Sequence, residues 1–296
     1  MRENKVIYGL IGYGGMGRWH TEILSNVPEI EIGGIYDIKE EKRIEAKEKG
    51  FSVYGSEDEM LSDPDIDVVL IATPNDCHKP IAIRAMHAGK NVISEKPVTL
   101  SSSDLEEMVN VAKETGKFLT VHQNRRWDDD FLIIRKLVEE QKLGRVFRIE
   151  SRVHGSRGIP GDWRKEKIHG GGMVLDWGVH LLDQILYLYG DRKIETVYAS
   201  LTHITNQEVD DGFTTILTFE GGTEVLVEVG TNNYISLPRW YVLGEDGTAV
   251  IRDWQLNGEI IRKTGKTEEK VVPVKTAAGL TKTMAPRRED TIVKEE

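Results

Sequence analysis

The sequence predicts an α/β protein in two parts: a doubly wound parallel sheet over residues 1–123, then an α+β domain over 124–296 with a mostly antiparallel sheet. Three observations lead there. Short apolar runs alternate with helical patterns up to about Val121, which predicts parallel strands covered on both faces. A glycine-rich turn, Gly12-Tyr13-Gly14-Gly15-Met16-Gly17, joins the first strand to the first helix. From about residue 125 the alternation gives way to successive strands with hairpin signals at Gly221-Gly222 and Asp246-Gly247.

In the first part, strands are expected at Val6–Ile11, Ile30–Tyr36, Asp67–Ala72, Val92–Ser94 and Phe118–Val121. Helices separate them. Met16, Ile23 and Val27 mark one, and Lys39 to Lys49 a charged second that stops at Gly50. Ile81, Ala82, Ala85 and Met86 form a third stripe, with Pro80 tolerable in its first turn. Leu105, Met108, Val109 and Ala112 form a fourth, behind a capping box assigned to Ser103 and Glu106. The second part should open with a helix over Phe131–Gln141 and the strand Val146–Val153. A helix from about Val174 to Tyr189 follows a glycine-rich stretch. Strands are then expected at Glu195–His203, Gly212–Phe219, Glu224–Val229, Arg239–Gly244 and Ala249–Asp253, with two more near Glu259 and Val271.

Bulk properties narrow the function. A 39% hydrophobic, 30% charged chain of 296 residues has the composition of a soluble globular protein. A net charge of −10, with Lys and Arg scattered, argues against nucleic acid or an anionic membrane as the main partner. A single cysteine, Cys77, excludes an internal disulfide and a cysteine-rich metal site. No signal-peptide pattern and no membrane-length apolar run are present, so a cytoplasmic protein is expected.

Gly12, Gly14 and Gly17 fit GxGxxG, and Asp37 lies at the end of the second predicted strand. Such glycines permit a tight turn and close approach of a pyrophosphate to a helix N-terminus, while the acid accepts from ribose hydroxyls. A turn that binds nothing is the plainer alternative. Asp37 would repel a 2′-phosphate, which favours NAD; NADP stays open because Lys39, Lys42 and Arg43 follow. Thr73-Pro74-Asn75 ends the third strand at the same edge, with His78 nearby. It could line the nicotinamide ribose, or be a turn capped by Asn75 beside a surface histidine. Lys96, in Glu95-Lys96-Pro97, follows the fourth strand at that edge. On a helix Asp176, His180 and Asp183 are i, i+4 and i+7 and share one face, which is either a site or a solvated face beside a hydrogen-bonded core histidine. One histidine and two carboxylates make a poor metal set, and no metal is expected. Together these residues imply hydride transfer from an alcohol: His180 takes the hydroxyl proton, Lys96 steadies the developing charge, and Asp176 orients histidine or substrate.

Gly12-Tyr13-Gly14-Gly15-Met16-Gly17, Ala72-Thr73-Pro74-Asn75 with His78, Ala88-Gly89-Lys90 leading to Glu95-Lys96-Pro97, and Gly171-Gly172 leading to Asp176, Gly178, His180 and Asp183 occur in this order. In this the chain resembles the Gfo/Idh/MocA oxidoreductases, over nearly its whole length. The resemblance implies a Rossmann domain followed by an α+β domain with a large open sheet, through which homodimers or homotetramers form. It implies Lys96, Asp176 and His180 as the catalytic set. Gly12, Gly14, Gly15, Met16, Gly17, Asp37, Thr73, Pro74, Asn75, His78, Glu95 and Lys96 are then expected at the cofactor. The same catalytic set, with Asn124, Arg125, Trp163 and Arg164, is expected at a sugar, inositol or related polyol. Two other readings use the same fold: a sugar- or NAD(H)-sensing regulator, and a glycosidase that retains its NAD. Family members commonly run longer at the C-terminus. The charged tail from Pro286-Arg287-Arg288-Glu289-Asp290 to Glu296 therefore belongs to a shortened variant or an incomplete chain.

Overall fold

The computed structural model describes residues 5–265, 273–277, 279–282 and 292–295. Val271 and the tail residues Pro286 to Asp290, on which two expectations rest, lie outside them. The chain forms two compact units: Met1–Gln123 with Pro160–Val179, and Asn124–Ile159 with His180–Glu296. The stretch 160–179, which lies within the second part by sequence order, packs with the first unit.

The first unit holds β1 (Val6–Ile11), β2 (Ile30–Tyr36), β3 (Val68–Ile71), β4 (Asn91–Ser94) and β5 (Leu119–Val121), all parallel in the order β2-β1-β3-β4-β5. Side chains alternate across the sheet. Ile7 and Ile11 of β1 join a core with Met60, Val69, Ile71, Val92 and Met108, while Leu10 joins Tyr13, Ile35, Ala46 and Leu70 on the other face. Each such buried aliphatic side chain contributes about 1.5–3 kcal/mol of transfer free energy. Because β2 and β3 flank β1 on opposite sides, the connections after β1 and β3 leave in opposite directions. Ligands of open α/β sheets bind outside the carboxyl ends of the strands at such a switch point.

Helices α1 (Gly15–Leu24), α2 (Glu40–Glu48), α3 (Glu57–Ser62), α4 (His78–His87) and α5 (Ser102–Thr115) connect the strands. The six residues of α3 bury only Met60 and Leu61, too few to write a helical period, so the sequence did not reveal it. Its start is set by Ser56, whose hydroxyl accepts from the Glu59 N–H at 3.1 Å. The cap of α5 needs correction. Ser101, not Ser103, has the extended backbone of a cap (φ −147°, ψ 155°), and its hydroxyl accepts from the Asp104 N–H.

The second unit contains α6 (Asp129–Glu139), β6 (Val146–His154) and α7 (Val179–Tyr189, from His180 on). Next come β7 (Ile194–Thr202), β8 (Gly212–Phe219), β9 (Thr223–Gly230), β10 (Trp240–Gly244), β11 (Gly247–Ile251) and β12 (Gly258–Lys263). A separate hairpin, β13 (Pro273–Thr276) with β14 (Gly279–Lys282), and the strand β15 (Ile292–Glu295) complete it. The main sheet runs β15-β12-β11-β10-β6-β9-β8-β7 and is antiparallel except where β6 meets β9. In β9, Thr223, Val225, Val227 and Val229 are buried, and their neighbours face the other side. Ring contacts of Phe131 with Trp240 and of Tyr189 with Phe219 seat α6 and α7 on the buried face. On the opposite face the register sets Arg148 beside Glu224 and Arg152 beside Glu228, an ion-pair ladder that His154 extends to Glu228. Among the described residues no helix is long and apolar enough to cross a membrane.

A buried charge pair anchors α6 to β10. Trp240 Nε1 donates to Asp130 Oδ2 at 2.9 Å, and Arg239 Nε stands 3.0 Å from that oxygen as an ion pair without hydrogen-bond alignment. Arg239 Nη1 also donates to Ser151 Oγ at 2.7 Å. Burial pushes the guanidinium down to about 10, against the pull of Asp130. Asp130→Ala strands a buried cation and an indole N–H, and should cost about 3–5 kcal/mol in urea unfolding. Adding Arg239→Met to that variant should recover a large part of the loss.

Candidate functional site

The glycine turn leaves open space at the start of a helix. A Cβ on Gly17 would lie 2.1 Å from the Gly12 carbonyl oxygen, so only glycine lets α1 start this close to β1. Gly14 caps α1 with no side-chain hydrogen bond, and the first turn carries no acid. A Cβ built on Gly14 or Gly15 meets nothing within 4 Å. Uncapped N–H groups at a helix N-terminus, under open space, fit the pyrophosphate of a dinucleotide. Met16 borders this turn and is 37% exposed. Asp37, just past β2, accepts from Tyr13 N–H at 2.7 Å and Lys39 N–H at 2.8 Å, which holds its carboxylate beside the turn. The Arg43 guanidinium donates to the Asp37 carbonyl at 2.6 Å.

The ends of β3 and β4 bear the next residues. Thr73 and Pro74 are half-buried at the β3 end. Asn75 is buried, and its amide donates to the Gly170 carbonyl at 2.9 Å, tying the later glycine run to this edge. His78 is fully buried, with Nδ1 2.8 Å from the Pro97 carbonyl and Nε2 3.0 Å from the Thr73 carbonyl. Burial lowers its pKa despite those carbonyls, so the neutral ring donates to one of them only. His78 is thus a buried brace between two loops and not the surface histidine of the alternative reading.

Glu95 is buried beside the same edge. It is 5% exposed, and Oε1 takes both His20 Nε2 at 2.7 Å and His122 Nδ1 at 3.0 Å. Oε2 accepts from the Lys96 N–H at 3.2 Å. Burial would raise this carboxyl, but the hydrogen bonds from His122 and His20 hold it well below the usual carboxylate range. Glu95 therefore fixes the lysine backbone with one oxygen and holds two imidazoles on the other.

Lys96 meets its partner within the first unit. Nζ donates to the Asp176 carboxylate at 2.8 Å and to the Asp176 carbonyl at 3.0 Å. Arg164 Nε lies 3.2 Å from the other carboxylate oxygen. Burial raises the Asp176 pKa, yet the two cations outweigh it and the net shift is downward. Arg164 also pairs with Asp162 at 2.7 Å and lies over the half-buried Trp163 ring, 4.7 Å from its centroid. The glycine run makes this approach possible: a Cβ on Gly171 would lie 2.3 Å from the Arg164 carbonyl oxygen. Asp176 itself sits in a π-helical turn, Val174–Gly178, rather than the expected α-helix. The 3.6-residue count that put Asp176 and His180 on one face does not run through that turn.

In the second unit His180 is buried near the start of α7. Asp183 receives Arg126 in a two-pronged pair, at 2.7 and 2.6 Å. Gln184 donates to the Arg125 carbonyl at 2.6 Å, so α7 is fastened to the turn Asn124–Trp127. Asn124 is half-buried in that turn, and Arg125 reaches Asp128 at 2.8 Å and the Trp254 ring.

The model for the oxidoreductase family with an NAD-binding Rossmann fold matches residues 6–123, and that for the GFO/IDH/MocA C-terminal domain matches 131–250. The chain belongs to the Gfo/Idh/MocA oxidoreductase family. A crystal structure described as an NAD-binding protein from Listeria innocua is 51% identical, with a TM-score of 0.95 over 98% of this chain and 84% of its own. YdgJ of Escherichia coli K12, named an uncharacterized oxidoreductase, is 37% identical over 64% of this chain and 55% of its own length. IolW of Bacillus subtilis, named an NADP-dependent scyllo-inositol 2-dehydrogenase, is 30% identical over 82% of this chain and 67% of its own. The chain spans about half the length of the first curated relatives it matches.

The structure brings together Lys96, Asp176 and Arg164, all three expected at the site from sequence, and adds His20 and His122, which were not. Their signal was position alone: His20 is three residues past Gly17, and His122 directly follows β5. The depressed Glu95 pKa carries a pH signature. Its contribution to stability is complete above the ordinary carboxylate value of 4.5 and is lost as pH falls from there toward the lowered pKa. Glu95→Gln should flatten this acid limb of unfolding free energy against pH and lower stability at neutral pH. An acid limb unchanged by the substitution would contradict the assignment.

Proposed function

We propose that the chain is an NAD-dependent dehydrogenase that moves hydride between a secondary alcohol of an inositol, sugar or related polyol and nicotinamide. The observation that carries this reading is the Lys96–Asp176 pair, 2.8 Å long and steadied by Arg164, in the same unit as the uncapped glycine turn. Bound nicotinamide would supply the hydride acceptor. An ammonium has three donors, and two go to Asp176, which leaves one for an alcohol oxygen. That donor stabilises negative charge as the hydroxyl proton departs. His180 serves as the acid/base that takes the proton. Asn124, Arg125 and Trp163 are proposed at the substrate, whereas Arg164 acts on it through Asp176.

Gly12, Gly14, Gly15, Met16, Gly17, Thr73 and Pro74 are proposed at the cofactor, with Asp37 accepting from the adenosine ribose and disfavouring a 2′-phosphate. The NADP-dependent name of IolW makes cofactor choice the finer question. Self-association through the second-unit sheet is supported by β7, which exposes Val197, Tyr198 and Leu201.

Lys96→Ala should lower kcat by roughly 10²–10³-fold, the usual effect of removing one oxyanion donor, while NAD binding stays measurable by calorimetry. Near-normal turnover would contradict the assignment. A screen of inositols and sugars with NAD and NADP, followed by NADH absorbance, identifies the substrate. His180→Asn should erase the near-neutral limb of the kcat/KM profile, and an unaltered profile would remove His180 from the acid/base role.

A further inference from the structure

Three ionisable side chains outside the Lys96–Asp176 pair converge at the carboxyl edge of the parallel sheet. His20 comes from α1, Glu95 from the end of β4 and His122 from the end of β5. Their facing atoms, Nε2, Oε1 and Nδ1, all lie within 4.8 Å of one another. His20 and Glu95 are 4% and 5% exposed, whereas the His122 side chain keeps 24%. The Trp19 ring packs against both imidazoles, at centroid distances of 5.2 and 5.7 Å.

We propose that His20, Glu95 and His122 form a binding site for one divalent transition-metal ion of the zinc, cobalt or nickel class. Two imidazole nitrogens and a carboxylate are the donors these ions take in preference to magnesium or calcium, which favour all-oxygen sets. Ligands about 2.0–2.2 Å from one tetrahedral zinc ion stand roughly 3.3–3.6 Å apart. The observed 2.7 and 3.0 Å separations widen to that range with shifts of about 0.3–0.9 Å, and the two nitrogens already lie within 4.8 Å of each other. An ionised carboxylate and two neutral imidazoles carry one negative charge, which suits a dication in a buried place. Glu95 Oε2 is already held by the Lys96 N–H, the outer hydrogen bond that fixes a ligating carboxylate. The exposed edge of His122 is the side from which an ion enters and a water completes the set.

Without metal, each imidazole turns an N–H toward Glu95. Binding requires a lone pair there, so the ion takes the place of those N–H protons. The ion would tie α1 to the ends of β4 and β5, beneath the Lys96 backbone. This site stands independently of the hydride-transfer reading, because none of its three residues is assigned a chemical step there.

The test is titration of the chelator-stripped full chain with Co²⁺, followed by desalting, metal analysis and visible spectroscopy. The expected result is one cobalt per chain with d–d absorption bands, displaced by Zn²⁺, and a higher melting temperature in the loaded protein. His122→Gln keeps an amide N–H for Glu95 but removes a ligand nitrogen, and should weaken binding by about ten-fold or more. His20→Gln should do the same, with folding of both variants checked by their melts. Cobalt retained equally by wild type and both variants, or no retention from micromolar metal, would reduce the cluster to a hydrogen-bonded network and overturn the proposal.

Discussion

An ammonium largely withdrawn from water needs a counter-charge, and that need organises the first unit around Lys96. The side chains of Lys96 and Asp176 are 16% and 14% exposed, so neither charge is well solvated by itself. Removing one member of such a buried pair leaves the other uncompensated, at a cost far above that of a surface bridge. The chain must therefore bring residue 176 back to the end of β4, 80 residues away. It does so through a glycine run whose backbone lies against Arg164, a tie from Asn75 to Gly170, and a π turn that presents the Asp176 carbonyl and carboxylate to the same nitrogen.

The residues behind the lysine serve the same constraint. Glu95 does not reach outward; it holds the Lys96 N–H on one oxygen and two imidazoles on the other. His78 bonds at the Pro97 carbonyl on the far side of Lys96. Lys96 thus projects from a backbone fixed on both flanks, the kind of pre-organisation that lets a single donor act without rearranging during a reaction. Asp37 plays a parallel part at the glycine turn, where its bonds to Tyr13 and Lys39 hold its carboxylate in place.

Much of this was legible in the sequence because it is written locally. Strand periods, the glycine spacing and Asp37 at the end of β2 are short-range patterns, and the five parallel strands follow them closely. What escaped depends on distance or on local competition. Ser101 and Ser103 are both capping residues, and only backbone conformation separates them. Helix α3 buries two residues and writes no period. The π turn breaks the count that an α-helical reading imposes on Asp176, His180 and Asp183, and Asp183 proves to be the partner of Arg126. His20 and His122 lie 75 and 27 residues from Glu95, so no spacing rule connects them. Arg164 could be flagged as a site residue from sequence, but its link to Asp176 could not.

The central claim is that this lysine–aspartate pair supports transfer of a carbinol hydrogen to nicotinamide. The most direct measurement follows that hydrogen. The chain would be incubated with NAD and a polyol deuterated at its carbinol carbons, and the recovered nicotinamide and sugar products analysed by mass spectrometry. The account predicts one deuterium on each reduced nicotinamide and a matching ketone, with both lost in Asp176→Asn. Binding of NAD and polyol without label transfer, or sugar release with no net reduced nicotinamide, would contradict it.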